Sequence, residues 1–182
     1  MCYSAESSLI SFLIGGTGSL YLLNSKNNTN KHIGLFLLSV ALIQFLEFLM
    51  WIDQKCGILN SIASRSIILV LSLQLYVIFL GGYLYDTLII PKKILKILLI
   101  PLTVGFIYMS SYNYFDNKKW CSKPNSDGSL LWASREGISI NYSYIYYILF
   151  FIMPFLVKEL WKGLLIFIFG IISFLLTRYK TK

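Results

Sequence analysis

Read from Ser4 onward, the chain alternates between long apolar runs and short polar punctuation. The runs are continuous and not alternating, so each reads as a helix. Six can be drawn, over about residues 6–24, 33–52, 58–83, 94–110, 138–157 and 161–177. A helix needs roughly 20 apolar residues to cross a bilayer at 1.5 Å per residue, and most of these runs reach that length. A membrane β-barrel would instead show dyad alternation. The pattern therefore predicts an all-α, polytopic integral membrane helix bundle forming a single domain, with about six spans. The fourth and sixth runs are short enough to give a range of four to six.

Ser4 is placed to cap the first helix, with Glu6 in its first turn where a carboxylate favours the helix dipole. The run is not flanked like a signal peptide, because the first basic residue is Lys26, beyond it. A stripe of small residues at fourfold spacing (Ser7, Ser11, Gly15, Ser19) would let a neighbouring helix approach closely. Pro101 and Pro154 fall inside the fourth and fifth runs and can kink them.

An even number of spans puts both termini on one face, termed here face A, with the DQKCG turn and a long, ordered extramembrane loop at 111–137. Face B carries NSKNNTNKH, DTLIIPKK and KELWK. Lysines are concentrated in the short loops of face B, which the positive-inside rule places in the cytoplasm, although Arg178, Lys180 and Lys182 argue the other way. The sequons at Asn27 and Asn141 fall on opposite faces and decide nothing.

Composition sharpens this reading. Of the 182 residues 57% are hydrophobic and only 13% charged, too few charges to clothe a water-soluble domain of this length. The formal net charge of +8 suits anionic lipid headgroups. With no soluble basic domain, nucleic acid is not an expected partner. The lipid bilayer is, and a homo-oligomer is compatible with the pattern.

Ionisable groups inside apolar runs are costly to bury and so carry information. Glu47 lies near the end of the second run and Arg65 early in the third, each on the order of 10 Å from face A by the helical rise. Gln44, Glu47 and Trp51 share one helix face, and Arg65, Ser72, Tyr76 and Tyr83 share another. Facing each other, these stripes would form either a structural ion pair or a polar intramembrane site open to face A. His32, the single histidine, falls in the polar stretch of face B; alone it supplies no histidine-rich metal site, and no cofactor is expected.

Cys2, Cys56 and Cys121 all fall on face A. Three readings remain open: a Cys56–Cys121 disulfide if that face is oxidising, a thiolate metal site using all three with Glu47 or Asp53 nearby, or three unrelated thiols. Around Cys121, Pro124 and the Asp127-Gly128 turn predict a short hairpin flanked by Trp120 and Trp132, forming a cover over face A. If Met1 is removed, Cys2 gains an α-amine beside its thiol and becomes a candidate catalytic nucleophile with Glu47 nearby. No nucleophile elbow, phosphate-binding glycine loop or metalloprotease helix accompanies it.

The opening MCYS and the run QFLEFLMWIDQKCGILN resemble a group of small, uncharacterised multipass membrane proteins of large DNA viruses and some eukaryotic microbes. The resemblance covers about the first third of the chain. It implies residence in a cellular or viral membrane and groups Cys2, Ser4, Glu47, Trp51, Asp53 and Cys56, but it supplies no catalytic residues. The expected function is thus a membrane protein with a polar site near face A, acting as a small channel or transporter or as a structural component. The alternative is a membrane-embedded thiol- or metal-dependent enzyme using Cys2 and neighbouring carboxylates.

Overall fold

A computed structural model describes residues 4–115, 120–126, 128–133, 152 and 155–168. The described chain is mostly helical: α1 (Ala5–Leu23), α2 (Asn28–Ile52), α3 (Ile58–Tyr85) and α4 (Lys92–Phe115), followed by the two-residue strands β1 (Lys123–Pro124) and β2 (Leu130–Leu131). Residues 160–168 are helical as well. Among the described residues two helices, α2 and α3, are long and apolar enough to cross a membrane.

The first four runs coincide with helices, and the differences lie at their ends. Ser4 caps α1 as its sequence predicts, accepting from the Ser7 amide while Ser7 Oγ accepts from the Ser4 amide. α2 begins at Asn28, five residues before the apolar run, because Asn27 caps it by accepting from the Asn30 amide. His32 is therefore inside a helix and not in a loop. α4 passes through Pro101 and continues to Phe115, so the loop starts later than residue 111. Cys2, Asp127, Asn141, Pro154, the tail and most of the fifth and sixth runs lie outside the described residues.

Each of these four helices packs on its neighbour in sequence, and successive helices run antiparallel. α1 meets α2 through small residues. Gly34 sits so close to α1 that a Cβ there would lie 2.9 Å from the Ser19 carbonyl oxygen and 3.0 Å from Leu22 Cβ, and Gly15 faces Ala41. Of the small stripe, Gly15 and buried Ser19 serve this contact, and Ser8 is buried in place of Ser7. Farther along, Phe12 meets Phe45 at 5.0 Å between ring centroids.

Polar as well as apolar side chains are buried between these helices, while large apolar side chains lie on their outer faces. Ser8, Ser19, Ser39, Glu47, Asn60, Ser64, Ser72 and Gln74 are buried. The outer faces of α1 and α4 expose Ile14, Tyr21, Ile97, Ile100, Val104 and Ile107. The apolar core is split into two clusters. One, around Phe36, Leu75, Ile78 and Leu95, lies toward face B; the other, around Ile43, Met50, Ile67, Trp120 and Leu130, lies toward face A.

At face B, the turn after α3 is pinned by a short antiparallel bridge. Leu88 pairs with Val157, the Ile89 amide donates to the Leu156 carbonyl at 2.8 Å, and the Lys158 amide donates to the Thr87 carbonyl at 2.8 Å. Buried His32 joins α2 to this turn through Nδ1 and Thr87 Oγ1, 2.6 Å apart. Asp86 ends α3 in the left-handed conformation, φ 54°.

Candidate functional site

The site is built at face A from the turn between α2 and α3. Asp53 leaves α2 and turns its carboxylate back over the start of α3, where Oδ1 accepts from the Gly57 amide at 3.0 Å and Oδ2 from the Asn60 amide at 3.1 Å. A carboxylate here satisfies orphan amides and favours the helix dipole. A Cβ at Gly57 would lie 2.7 Å from Asp53 Oδ2, so a larger residue there would push the carboxylate off these amides. Cys56 takes a left-handed conformation, φ 61°, in the same turn.

Cys56 is joined to Cys121 by a disulfide, with 5.3 Å between their Cα atoms. Of the three readings of the cysteines, the pair at disulfide distance is the one the structure contains. Two of the three thiols that a metal site would need are thereby occupied. Among the described residues no group of three or more His, Cys, Asp or Glu could hold a metal ion.

The disulfide delivers Ser122 into a buried polar knot centred on Asn60. The Ser122 amide donates to Asn60 Oδ1 at 2.8 Å, and Asn60 Nδ2 donates to the Ser122 carbonyl at 2.9 Å. That reciprocal pair fixes which way the Asn60 amide points, because Oδ1 must face an N–H. Nδ2 also faces the carbonyls of Met50 (3.2 Å) and Asp53 (3.0 Å), closing the end of α2. The hydroxyl protons follow by inventory. Ser64 Oγ donates to Asn60 Oδ1 at 3.0 Å, so Ser122 Oγ donates to Ser64 Oγ at 2.7 Å and itself accepts from the Ala133 amide at 3.1 Å. Asn60, Ser64 and Ser122 are all 0% exposed.

Around this knot the loop folds into the expected hairpin. β1 pairs with β2 antiparallel, Lys123 opposite Leu131, and the turn closes with the Gly128 amide donating to the Asn125 carbonyl at 3.0 Å. Gly128 has φ 79°, a conformation that favours glycine. Trp120 and Leu130 insert between the ends of α2 and α3, against Ile43, Met50, Ala63, Ile67 and Ile68. The hairpin is thus a fitted cap.

Glu47 lies beneath it, 0% exposed, and the indole of Trp132 donates to its Oε1 at 3.2 Å. Gln44 and Arg65 are half-buried, and each is engaged by a neighbour. Trp51 and Trp120 turn their indole Nε1 atoms into the interior, where neither has a hydrogen-bond partner among the described residues. The predicted second stripe divides: Ser72 is buried, while Tyr76 stacks with Phe106 at 6.3 Å and so faces α4. The structure brings Glu47, Trp51, Cys56 and Cys121 to one end of the bundle. Chemically, a carboxylate shielded in this way can hold a proton or a small cation.

Sequence reasoning did not find Asn60, Ser64 and Ser122. The signal available was Asn60 itself, an amide set between apolar residues in ILNSIAS, where an unpaired side chain would be costly. Its partner, 62 residues away, carries no pattern. Comparison of the chain with protein-family models, curated proteins and solved structures finds no match.

Proposed function

We propose that the protein is a multi-pass integral membrane protein, with about six spans, whose working centre is the capped Glu47 site. The exposed apolar faces of α1 and α4 and the polar residues buried between helices support the membrane reading, because that arrangement suits lipid and would leave a large apolar patch in water. The Cys56–Cys121 pair supports an oxidising compartment at face A and so a cytoplasmic face B, in agreement with the lysine distribution.

In this reading the protein is a small channel or transporter for protons or cations. The observation that carries it is Glu47: a carboxylate held out of water within α2, under an indole supplied by the disulfide-tethered cap. Flux through proteoliposomes holding the wild type and Glu47→Gln tests it. Proton or monovalent-cation flux lost in Glu47→Gln, with helicity and the disulfide intact, supports the reading; equal flux in both, or none in either, refutes it.

A second reading, a structural membrane component, is favoured by the Asn60 knot. Its hydrogen bonds are nearly all made internally, as expected of a clamp. The enzyme alternative rests on Cys2, which lies outside the described residues.

A further inference from the structure

At face B, opposite the Glu47 site, a cavity of about 400 Å³ opens between the α1–α2 turn, the α3–α4 turn and the segment leading to residue 160. Its lining carries both signs of charge: Lys26 and Lys158, Asp86 and Glu159. The carboxylates are built in. Asp86 stands at the left-handed end of α3, 3.1 Å from Lys158 Nζ. Glu159 is held by Lys162 at 2.8 Å and by Asn27 Nδ2 at 3.4 Å. Lys26 makes no ion pair or hydrogen bond among the described residues. The cavity therefore presents cations and carboxylates side by side in one lining, Asp86 paired with Lys158 and Glu159 with Lys162, with Lys26 left over and formal lining charges that cancel.

Its depth in the fold narrows the ligand. Tyr21 and Trp161 stand exposed at this end of the bundle, 80% and 61%, with Lys162 over the Trp161 ring. Exposed aromatic rings beside lysines mark the headgroup level of a bilayer. From the structure we infer that this cavity binds a phosphodiester bearing a primary ammonium, as in the headgroup of phosphatidylethanolamine. This inference rests on the membrane reading only for the source of the ligand; the charge arrangement stands without it.

The phosphate would sit at Lys26 and share Lys158 with Asp86, and the ammonium would join Asp86 and Glu159 beside the lysines they already hold. A primary ammonium can donate three hydrogen bonds to these carboxylates, whereas the quaternary ammonium of phosphatidylcholine can donate none. A choline site would call for several aromatic faces, and among the described residues Tyr85 is the one aromatic side chain lining the cavity. Phosphatidylglycerol would bring a negative charge to two carboxylates with no ammonium to answer them.

The test uses the full chain in detergent with dioctanoyl phosphatidylethanolamine, phosphatidylcholine and phosphatidylglycerol, and with glycerophosphoethanolamine and inorganic phosphate as tail-free probes. Affinities are read by native mass spectrometry or lipid-dependent thermal shift. Phosphatidylethanolamine is expected to bind at least about tenfold more tightly than the other two lipids, the scale of one or two charge-assisted hydrogen bonds. Glycerophosphoethanolamine should outcompete inorganic phosphate. The double variant Asp86→Asn, Glu159→Gln should abolish the preference; asparagine tolerates the left-handed position, so the turn is kept. Lys26→Gln, which breaks no internal bond, should weaken phosphatidylethanolamine and phosphatidylglycerol together.

Equal binding of the ethanolamine and choline lipids overturns the inference, as does a preference that survives in the double variant. Inorganic phosphate competing as well as glycerophosphoethanolamine would mark a free-phosphate site and also overturn it. A chain released from membranes by alkaline carbonate yet still selective for glycerophosphoethanolamine would refute the membrane reading while upholding the site.

Discussion

Replacing Asn60 with alanine removes the centre of the polar knot, and the structure indicates where the loss falls. The Met50 carbonyl keeps a second donor, Gln54 Nε2 at 2.7 Å, and Ser64 Oγ keeps Ser122 Oγ. The Ser122 amide and carbonyl lose their Asn60 partners in a site that water does not reach. A buried backbone group left unpaired costs about 1–3 kcal/mol, so the two together predict a destabilisation of about 2–6 kcal/mol. The penalty should concentrate on the cap, since Ser122 belongs to the hairpin, while α1 and the face B cluster are untouched. Denaturant unfolding in detergent gives the total, and hydrogen exchange of the Asn125 and Ala133 amides, both bonded within the hairpin, gives the opening of the cap. Asn60→Asp, which keeps an acceptor for the Ser122 amide but loses the donors, should fall between. A change under about 0.5 kcal/mol for Asn60→Ala, with exchange of the hairpin amides unaltered, would refute the reasoning, because the knot would then not be holding the hairpin.

Reducing the Cys56–Cys121 disulfide frees a constraint between positions 65 apart in sequence, which chain entropy values at up to about 4 kcal/mol; Cys121→Ser should lower the denaturant midpoint accordingly, and more so combined with Asn60→Ala, since both hold one cap. Gly34→Leu drives a side chain into the Ser19 carbonyl and Leu22, so it should destabilise the α1–α2 contact by about 1–3 kcal/mol or more, read as increased exchange of α1 amides. Trp132→Phe keeps the ring but removes the donor to Glu47, and should change any Glu47-dependent flux while leaving the disulfide in place. The Glu159 carboxyl lies below the ordinary carboxylate value of 4.5, chiefly through its hydrogen bond to Lys162 and then those to Thr29 and Asn27. Its contribution is complete above that ordinary value and is lost as pH falls through the lower folded value, so a thermal-shift series from pH 6 to pH 3 should flatten in Glu159→Gln.

The helices were legible because each is a long apolar run bounded by polar residues, and 58–83 against the observed Ile58–Tyr85 shows how little ambiguity such a run leaves. Their ends were less so, because ends are set by capping: Asn27 draws α2 back across His32, and no hydropathy reading weighs a cap against a polar stretch. The hairpin around Asn125–Gly128 was readable from its turn residues, and the pairing of Cys56 with Cys121 was open only as one of three alternatives. Spacing cannot say that Cys56 turns left-handed or that Ser122 threads beneath Asn60. Glu47 stood out because a carboxylate among leucine and phenylalanine is expensive. That its indole partner would come from Trp132, 85 residues away, is a property of the folded cap alone.

The central claim is a membrane-spanning bundle whose face A is covered by a disulfide-tethered cap. Its most direct test is non-reducing peptide mass spectrometry of the chain recovered from alkaline-carbonate-washed membranes, with free thiols alkylated beforehand. The account predicts that the chain stays in the membrane pellet and yields a peptide linking Cys56 to Cys121. Recovery of the chain in the carbonate supernatant, or of Cys56 and Cys121 both alkylated, would contradict it.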